Sequence, residues 1–266
     1  MKLNNIILFI VILLFLFILF YRTKEYFDEE TVPKYFFQIW INNQNTLPQP
    51  MVDNFNTIKN DNPDFECKLY NKEDCIDFLK NHYDEDILNA YHKLIPGAYK
   101  ADLMRYCILY KNGGIYLDAK MTPINGFKLS HIIDKEHFVR DSDFQGKGRG
   151  VINGFIVCKK NNPIILRAIE DVVENVKNKY YGETILSPTG PFLLRKYFTE
   201  EEFNELDYDF TYVNETHVIT KSHDNYDLAI IKIDKNLLEV QSLNSSEKNY
   251  RDLWDEKNIY EPFMSN

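Results

Sequence analysis

Between Pro33 and Tyr70 the hydrophobic period changes twice, and that change narrows the fold class before any single residue does. Lys34-Tyr35-Phe36-Phe37-Gln38-Ile39-Trp40-Ile41 is rich in aromatic and β-branched residues and gives way to polar Asn42-Asn43, as a buried strand does. Pro48 to Lys59 then reads as a helix, and Phe65-Glu66-Cys67-Lys68-Leu69-Tyr70 alternates as a second strand. Strand, helix, strand implies two parallel strands joined by a crossover helix. In such an α/β fold, ligands are expected beyond the carboxyl ends of the strands, where Trp40 and Asn42 fall.

Further along, helices are expected from Lys72 to Asn81 and from Asp84 to Leu94. Pro96-Gly97 breaks the chain, and a third helix runs from about Ala98 to Lys111 until Asn112-Gly113-Gly114 stops it, as a glycine in the left-handed region would. A short strand follows at Ile115-Tyr116-Leu117-Asp118, then a strand or turn from Met121 to Ile124. Strands at His137 to Arg140 and Val151 to Cys158 and a helix from Pro163 to Lys177 come next. Gln145-Gly146-Lys147-Gly148-Arg149-Gly150 reads as a mobile loop; it lacks the Gly-Lys-Ser/Thr ending of a phosphate-binding P-loop.

With 44% hydrophobic and 15% aromatic residues, the chain has enough buriable surface for one sizeable core, placed at residues 33–266. Its net charge of −9 argues against a nucleic-acid partner, so any phosphate it binds must be met by local charge. Cys67, Cys75, Cys107 and Cys158 lack the close spacing of a zinc site. Cys107 and Cys158 sit in apolar runs as buried thiols, while Cys67 and Cys75 could pair in an oxidising lumen.

After a short tail at residues 1–5, residues 6–21 are apolar without interruption and would span about 24 Å as a helix, enough for a thin membrane. No small-residue cleavage site ends the run, so it reads as an uncleaved anchor, followed by an acidic linker over residues 22–32. Charges on both sides of the span leave topology open. Asn214-Glu215-Thr216 and Asn244-Ser245-Ser246 permit a luminal or extracellular domain, a single-pass type II arrangement.

The chemistry concentrates in Ala101-Asp102-Leu103-Met104-Arg105-Tyr106 and, after the helix, Gly113-Gly114-Ile115-Tyr116-Leu117-Asp118. Three apart on a helix, Asp102 and Arg105 share a face; taken alone they could be a surface ion pair. Asp118 ends an apolar strand, where a donor-binding carboxylate could lie, and strand alternation would point position 120 to the same side.

At these residues the chain resembles the DXD-motif sugar transferases around the initiating α-mannosyltransferase of yeast and, more distantly, the clostridial glucosylating toxins. The resemblance begins at Pro33 to Trp40, is strongest from Ala101 to Asp118, and continues weakly through Asn153-Gly154-Phe155 and Thr189-Gly190-Pro191. It implies a GT-A, Rossmann-like fold, a nucleotide-diphosphate sugar donor, a glycan, lipid or protein acceptor, and transfer of a hexose with retention. Carried over by position, Trp40 would stack on the base, Asp102 and Arg105 would hold the donor sugar and its phosphate, and Asp118 would bind hydroxyls and help with metal. Asn153 and Gly190 would line the donor cleft.

One position departs from the family pattern. Where the motif has its second acid, the chain reads Asp118-Ala119-Lys120, and an ammonium group cannot ligate Mn²⁺ or Mg²⁺. Three readings stand open: Lys120 supplies the charge a metal would bring; a metal remains, held by Asp118 with a downstream acid or His223; or catalysis is lost and a silent sugar-nucleotide or glycan-binding protein is left. The aromatic tail from Asp234 onward, with Trp254 and Tyr260-Glu261-Pro262-Phe263, is a candidate lid over the cleft.

Overall fold

A computed structural model describes residues 13, 31–42, 46–213, 215–221, 229–244 and 248–262. Apart from Leu13, the apolar run at 6–21 lies outside these residues, as do His223, Phe263 and key parts of both glycosylation triplets. Among the described residues no helix is long and apolar enough to cross a membrane.

Strand β1 (Tyr35–Ile39) is buried throughout, as its aromatic composition demands, and pairs in parallel with β2 (Glu66–Tyr70). Helix α1 (Gln49–Asp61) makes the crossover between them, with Pro48 at its amino end where a missing N–H costs nothing. The expected β-α-β opening is therefore present. Helices α2 (Lys72–His82) and α3 (Glu85–Lys93) follow; the Asn71 and Asp84 side chains cap their amino ends by accepting from Asp74 N and Ile87 N.

Helix α4 (Gly97–Asn112) differs from its neighbours. Tyr99 and every residue from Asp102 to Leu109 are buried, so it carries no solvent face along its middle. A helix buried all round must find partners for any charge it carries. Gly113 ends it at φ +66°, its N–H donating to Leu109 O at 2.7 Å, and Gly114 continues at φ +99° into β3 (Gly114–Leu117). A Cβ at Gly114 would lie 2.2 Å from Tyr35 O, so the close approach of β3 to β1 admits no side chain there.

The remaining elements are β4 (Met121–Pro123), a 3₁₀ turn (Leu129–Ile132), β5 (His137–Asp143), β6 (Arg149–Cys158), α5 (Pro163–Lys177), α6 (Pro191–Arg195), α7 (Glu200–Asn204), β7 (Tyr208–Val213), β8 (Thr216–Lys221), β9 (Ala229–Ile233), α8 (Lys235–Asn244) and α9 (Tyr250–Asp255). They complete a mixed nine-stranded sheet in the order β2-β1-β3-β6-β5-β7-β8-β9-β4. The last strand in that order begins just after β3 ends, so the sheet curls back toward its own middle. Connections leave β1 toward β2 on one side and return to β3 on the other. The crevice beyond the carboxyl ends of β1 and β3 is thus a topological switch point.

Several expectations change. The glycine-rich stretch expected to be a mobile loop is an ordered hairpin turn between β5 and β6, where the Asp143 carboxylate accepts from Gly146 N at 2.6 Å and Gly148 N at 2.9 Å. All four cysteines are free, with Cys75, Cys107 and Cys158 buried, so Cys67 and Cys75 do not pair. The tail divides in two. Helix α8 packs through Leu237 and Val240 on Trp40, Met51 and Ala119. Trp254 and Tyr260 instead donate hydrogen bonds to Tyr181 O and Tyr180 O, and Ile95 N donates to Ile259 O, so this part straps the α3–α4 connection rather than the cleft.

Gly114→Ala is expected to lower stability by more than about 2 kcal/mol, since it combines a positive φ with a backbone clash. Urea unfolding checks this, and a loss below half that value would contradict the close β1–β3 approach.

Candidate active site

The buried centre of α4 meets the end of β3 and the middle of β6 in one charged network. Arg105 lies at its middle, with Nη2 2.9 Å from Asp102 Oδ1 and Nη1 3.3 Å from Asp118 Oδ1. The same guanidinium donates from Nη1 to Asn153 O at 2.7 Å and from Nε to Ala101 O at 3.3 Å, and its carbon sits 4.5 Å from the centre of the Tyr116 ring. Asp102 and Arg105 are therefore not a surface pair: their side chains are 12% and 6% exposed.

Asp102 accepts two further hydrogen bonds and has Gly190 beside it. Asn153 Nδ2 donates to Oδ1 at 2.8 Å and Thr189 Oγ1 to Oδ2 at 2.6 Å, while a Cβ at Gly190 would lie 3.7 Å from Oδ2. Asn153 and Gly190 thus stand beside the acid, brought there by β6 and by the turn entering α6. Tyr106 fixes that turn by donating its hydroxyl to Thr189 O at 2.8 Å.

Asp118 is held in a tight turn, with Met121 N donating to Asp118 O at 2.8 Å and Asp118 N to Gly154 O at 2.8 Å. The expected side-by-side placement of positions 118 and 120 is realised, although through this turn and not through strand alternation. Lys120 Nζ lies 3.0 Å from Asp118 Oδ2, and the Tyr116 hydroxyl donates to Oδ1 at 2.7 Å. Asp234 N donates to Lys120 O at 2.9 Å, and Asn54 Nδ2 reaches Ala119 O and Met121 O, so β9, α8 and α1 all brace the turn.

The two acids are tuned in opposite directions. Burial pushes Asp102 up to about 6, against the pull of Arg105 and the Thr189 and Asn153 hydrogen bonds. Burial also acts upward on Asp118, but Lys120, Arg105 and the Tyr116 hydroxyl outweigh it and hold that carboxyl well below the usual range. At neutral pH both are carboxylates facing two cations.

Trp40 follows β1 and is placed apart from the charges, in an apolar cluster with Met51, Ala119 and Leu237. It is 8% exposed beneath α8, and its Nε1 has no hydrogen-bond partner among the described residues. Its neighbour Ala119 lies between the two charged motif residues, so the indole borders the same turn. Thr189, from the Thr189-Gly190-Pro191 stretch of the resemblance, joins the site through Asp102. Tyr116 and Gln38, whose Nε2 donates to Asp118 O at 3.3 Å, complete it and were not singled out from the sequence. Only Tyr116 left a signal, since it stands two residues before Asp118 on the same strand face.

A divalent cation does not fit this donor set. Both Asp118 oxygens already face cations, Arg105 on one and Lys120 on the other, and the second motif position offers an ammonium group in place of a ligand.

Residues 48–139 match a family model described as the glycosyltransferase sugar-binding region containing the DXD motif, a span that includes Asp102, Arg105, Asp118 and Lys120. The chain is 25% identical over 183 residues to a glycosyltransferase, L373, of Acanthamoeba polyphaga mimivirus, covering 69% of this chain and 71% of that protein. It is 27% identical over 164 residues to inositol phosphoceramide mannosyltransferase 3 of Schizosaccharomyces pombe, covering 61% of this chain but only 44% of that enzyme. The solved structure of the PaToxG glycosyltransferase overlaps it with a TM-score of 0.47 at 18% identity, over 63% of this chain and 69% of that one. The resemblance to DXD-motif sugar transferases is borne out, most directly over 48–139.

Because Asp102 holds its proton more tightly folded than unfolded, its contribution to stability is present at low pH and is lost as pH rises from about 4 to about 6. Burial likewise raises Asp141 to about 6, which adds to the same decline. In urea unfolding across that range, Asp102→Asn is expected to decline less steeply than the parent chain. Equal slopes would show that Asp102 does not titrate there.

Proposed function

We propose that this chain, carrying a DXD-type sugar-binding region, is a GT-A glycosyltransferase that moves a hexose from a nucleotide-diphosphate sugar to a glycan, lipid or protein acceptor. The observation that carries the reading is the buried Asp102–Arg105–Asp118–Lys120 network at the switch point of the sheet, inside the segment that matches the family model.

In this reading Asp102 and Asp118 accept hydrogen bonds from donor hydroxyls, which ionised carboxylates do well. Arg105 keeps the two acids apart and oriented; its guanidinium is committed to protein partners, so it acts as a positioning residue. Asn153 and Gly190 border the sugar beside Asp102. Trp40 takes the base once α8 shifts from the indole, whose unpartnered N–H leaves a donor to be satisfied there.

Transfer proceeds with retention. The bond from the anomeric carbon to the phosphate oxygen breaks with its electron pair going to phosphate. The acceptor oxygen bonds to the same face of that carbon, and its proton passes to the leaving phosphate. Such a step relies on positioning and on fixed charge more than on an enzymic base.

A second reading, a silent sugar-nucleotide or glycan-binding protein, is favoured by one observation alone, the lysine at the second motif position. Hydrolysis of a panel of nucleotide sugars by the purified full-length chain separates the two. One donor is expected to turn over, and Asp118→Asn to slow it by about a hundredfold or more with the near-ultraviolet circular dichroism unchanged. An Asp118→Asn enzyme as active as the parent would remove this site from the reaction.

The apolar run at 6–21 supports a membrane tether in the type II sense, with residues 33–266 as the catalytic domain. Alkaline carbonate is then expected to leave the chain in the membrane pellet, and release into the supernatant would contradict the tether.

A further inference from the structure

We infer that Lys120 stands in for the divalent cation, so that the donor diphosphate is bound and its leaving charge balanced by a protein ammonium group. The inference rests on the glycosyltransferase reading and goes beyond it, because the DXD description of the matching family model implies a metal that these residues do not fit.

Three observations converge. First, both oxygens of Asp118 are already engaged: Arg105 and the Tyr116 hydroxyl face Oδ1 while Lys120 faces Oδ2, so a metal would have to compete with an ion pair already made, whereas a neutral hydroxyl can add to the remaining acceptor site. Second, a lysine in place of a second aspartate changes the local charge by two, the same amount that one bound divalent cation contributes. With Asp102 and Asp118 ionised, Arg105 and Lys120 bring the cluster to formal neutrality, whereas an aspartate at position 120 would leave it doubly negative and in need of a cation before a diphosphate could approach.

Third, the four charged side chains are graded in exposure. Arg105 is 6% exposed, Asp102 12%, Asp118 18% and Lys120 23%. The guanidinium is sealed among protein partners, and the ammonium is the cation of this network that is most open to solvent. It is also held in place from both sides: Asp118 fixes its head, and the hydrogen bond from Asp234 N to its own carbonyl fixes its backbone. A positive charge preorganised in this way stabilises negative charge as it develops on the leaving phosphate without reorganisation.

The balance of the step is unchanged. The electron pair of the breaking glycosidic bond goes to the phosphate oxygen, that oxygen takes the acceptor's proton, and Lys120 exchanges no proton.

The test is calorimetric binding of UDP and GDP to the full-length chain, in EDTA and again in Mn²⁺, for the parent and for Lys120→Met, Lys120→Arg and Lys120→Asp. One nucleotide is expected to bind equally well in both media. Lys120→Met should weaken it by about tenfold or more and Lys120→Arg should restore most of the loss, as a charge-assisted contact to phosphate requires. Lys120→Asp should bind only with Mn²⁺. Binding by the parent that EDTA abolishes and Mn²⁺ restores would overturn the inference while leaving the glycosyltransferase reading intact. Equal affinity of Lys120→Met and parent in EDTA would overturn it in the same way. Absence of nucleotide binding under every condition would overturn both.

Discussion

A guanidinium that cannot reach bulk water sets the terms for the rest of this site. Arg105 sits in a helix buried along its middle and is neutralised by two carboxylates that come from opposite ends of one stretch of chain, Asp102 from its own helix and Asp118 from the turn after β3. Breaking such a buried pair by removing one partner costs about 3–5 kcal/mol, because the other charge is stranded. The helix, the strand and the turn are therefore fixed relative to one another by the same contacts that assemble the site.

That fixation works because α4 and β3 are joined by only two residues of backbone freedom. Gly113 and Gly114 reverse the chain at positive φ, and the missing Cβ at Gly114 lets β3 lie against β1. Asp118 is delivered to the carboxyl end of the sheet as a result. Gly154 extends the same logic across the next strand, since a Cβ there would lie 2.9 Å from Asp118 Oδ2. Backbone geometry and electrostatics impose one arrangement together: the glycines bring the strands close enough, and the charges hold the turn.

Much of this was legible in the sequence wherever a periodic pattern or a strong terminator carried it. The β-α-β opening, the run of helices and the glycine stop all follow from local signals that burial did not override. Helical spacing joins Asp102 to Arg105 and chain proximity joins Asp118 to Lys120, but only the resemblance to DXD-motif sugar transferases brought the two pairs together as one set. Their burial was not legible, since α4 alternates no polar face that would show which side is covered. Contacts made across long sequence separations, such as Thr189 on Asp102 or α8 on Trp40, left no local trace. The hairpin at Asp143 escaped notice because glycine content marks a turn and a mobile loop alike, and only the carboxylate accepting two peptide N–H groups distinguishes them.

In the proposed complex the Asp118–Lys120 turn receives the nucleotide diphosphate and the Trp40 indole takes the base once α8 has moved aside. The most direct measurement is a crystal structure of the chain with the nucleoside diphosphate that binds it most tightly, grown in EDTA. The expected result places the diphosphate against Lys120 Nζ with the base on the Trp40 indole and α8 displaced. A diphosphate bound elsewhere, with Lys120 still closed on Asp118 and α8 unmoved, would contradict it.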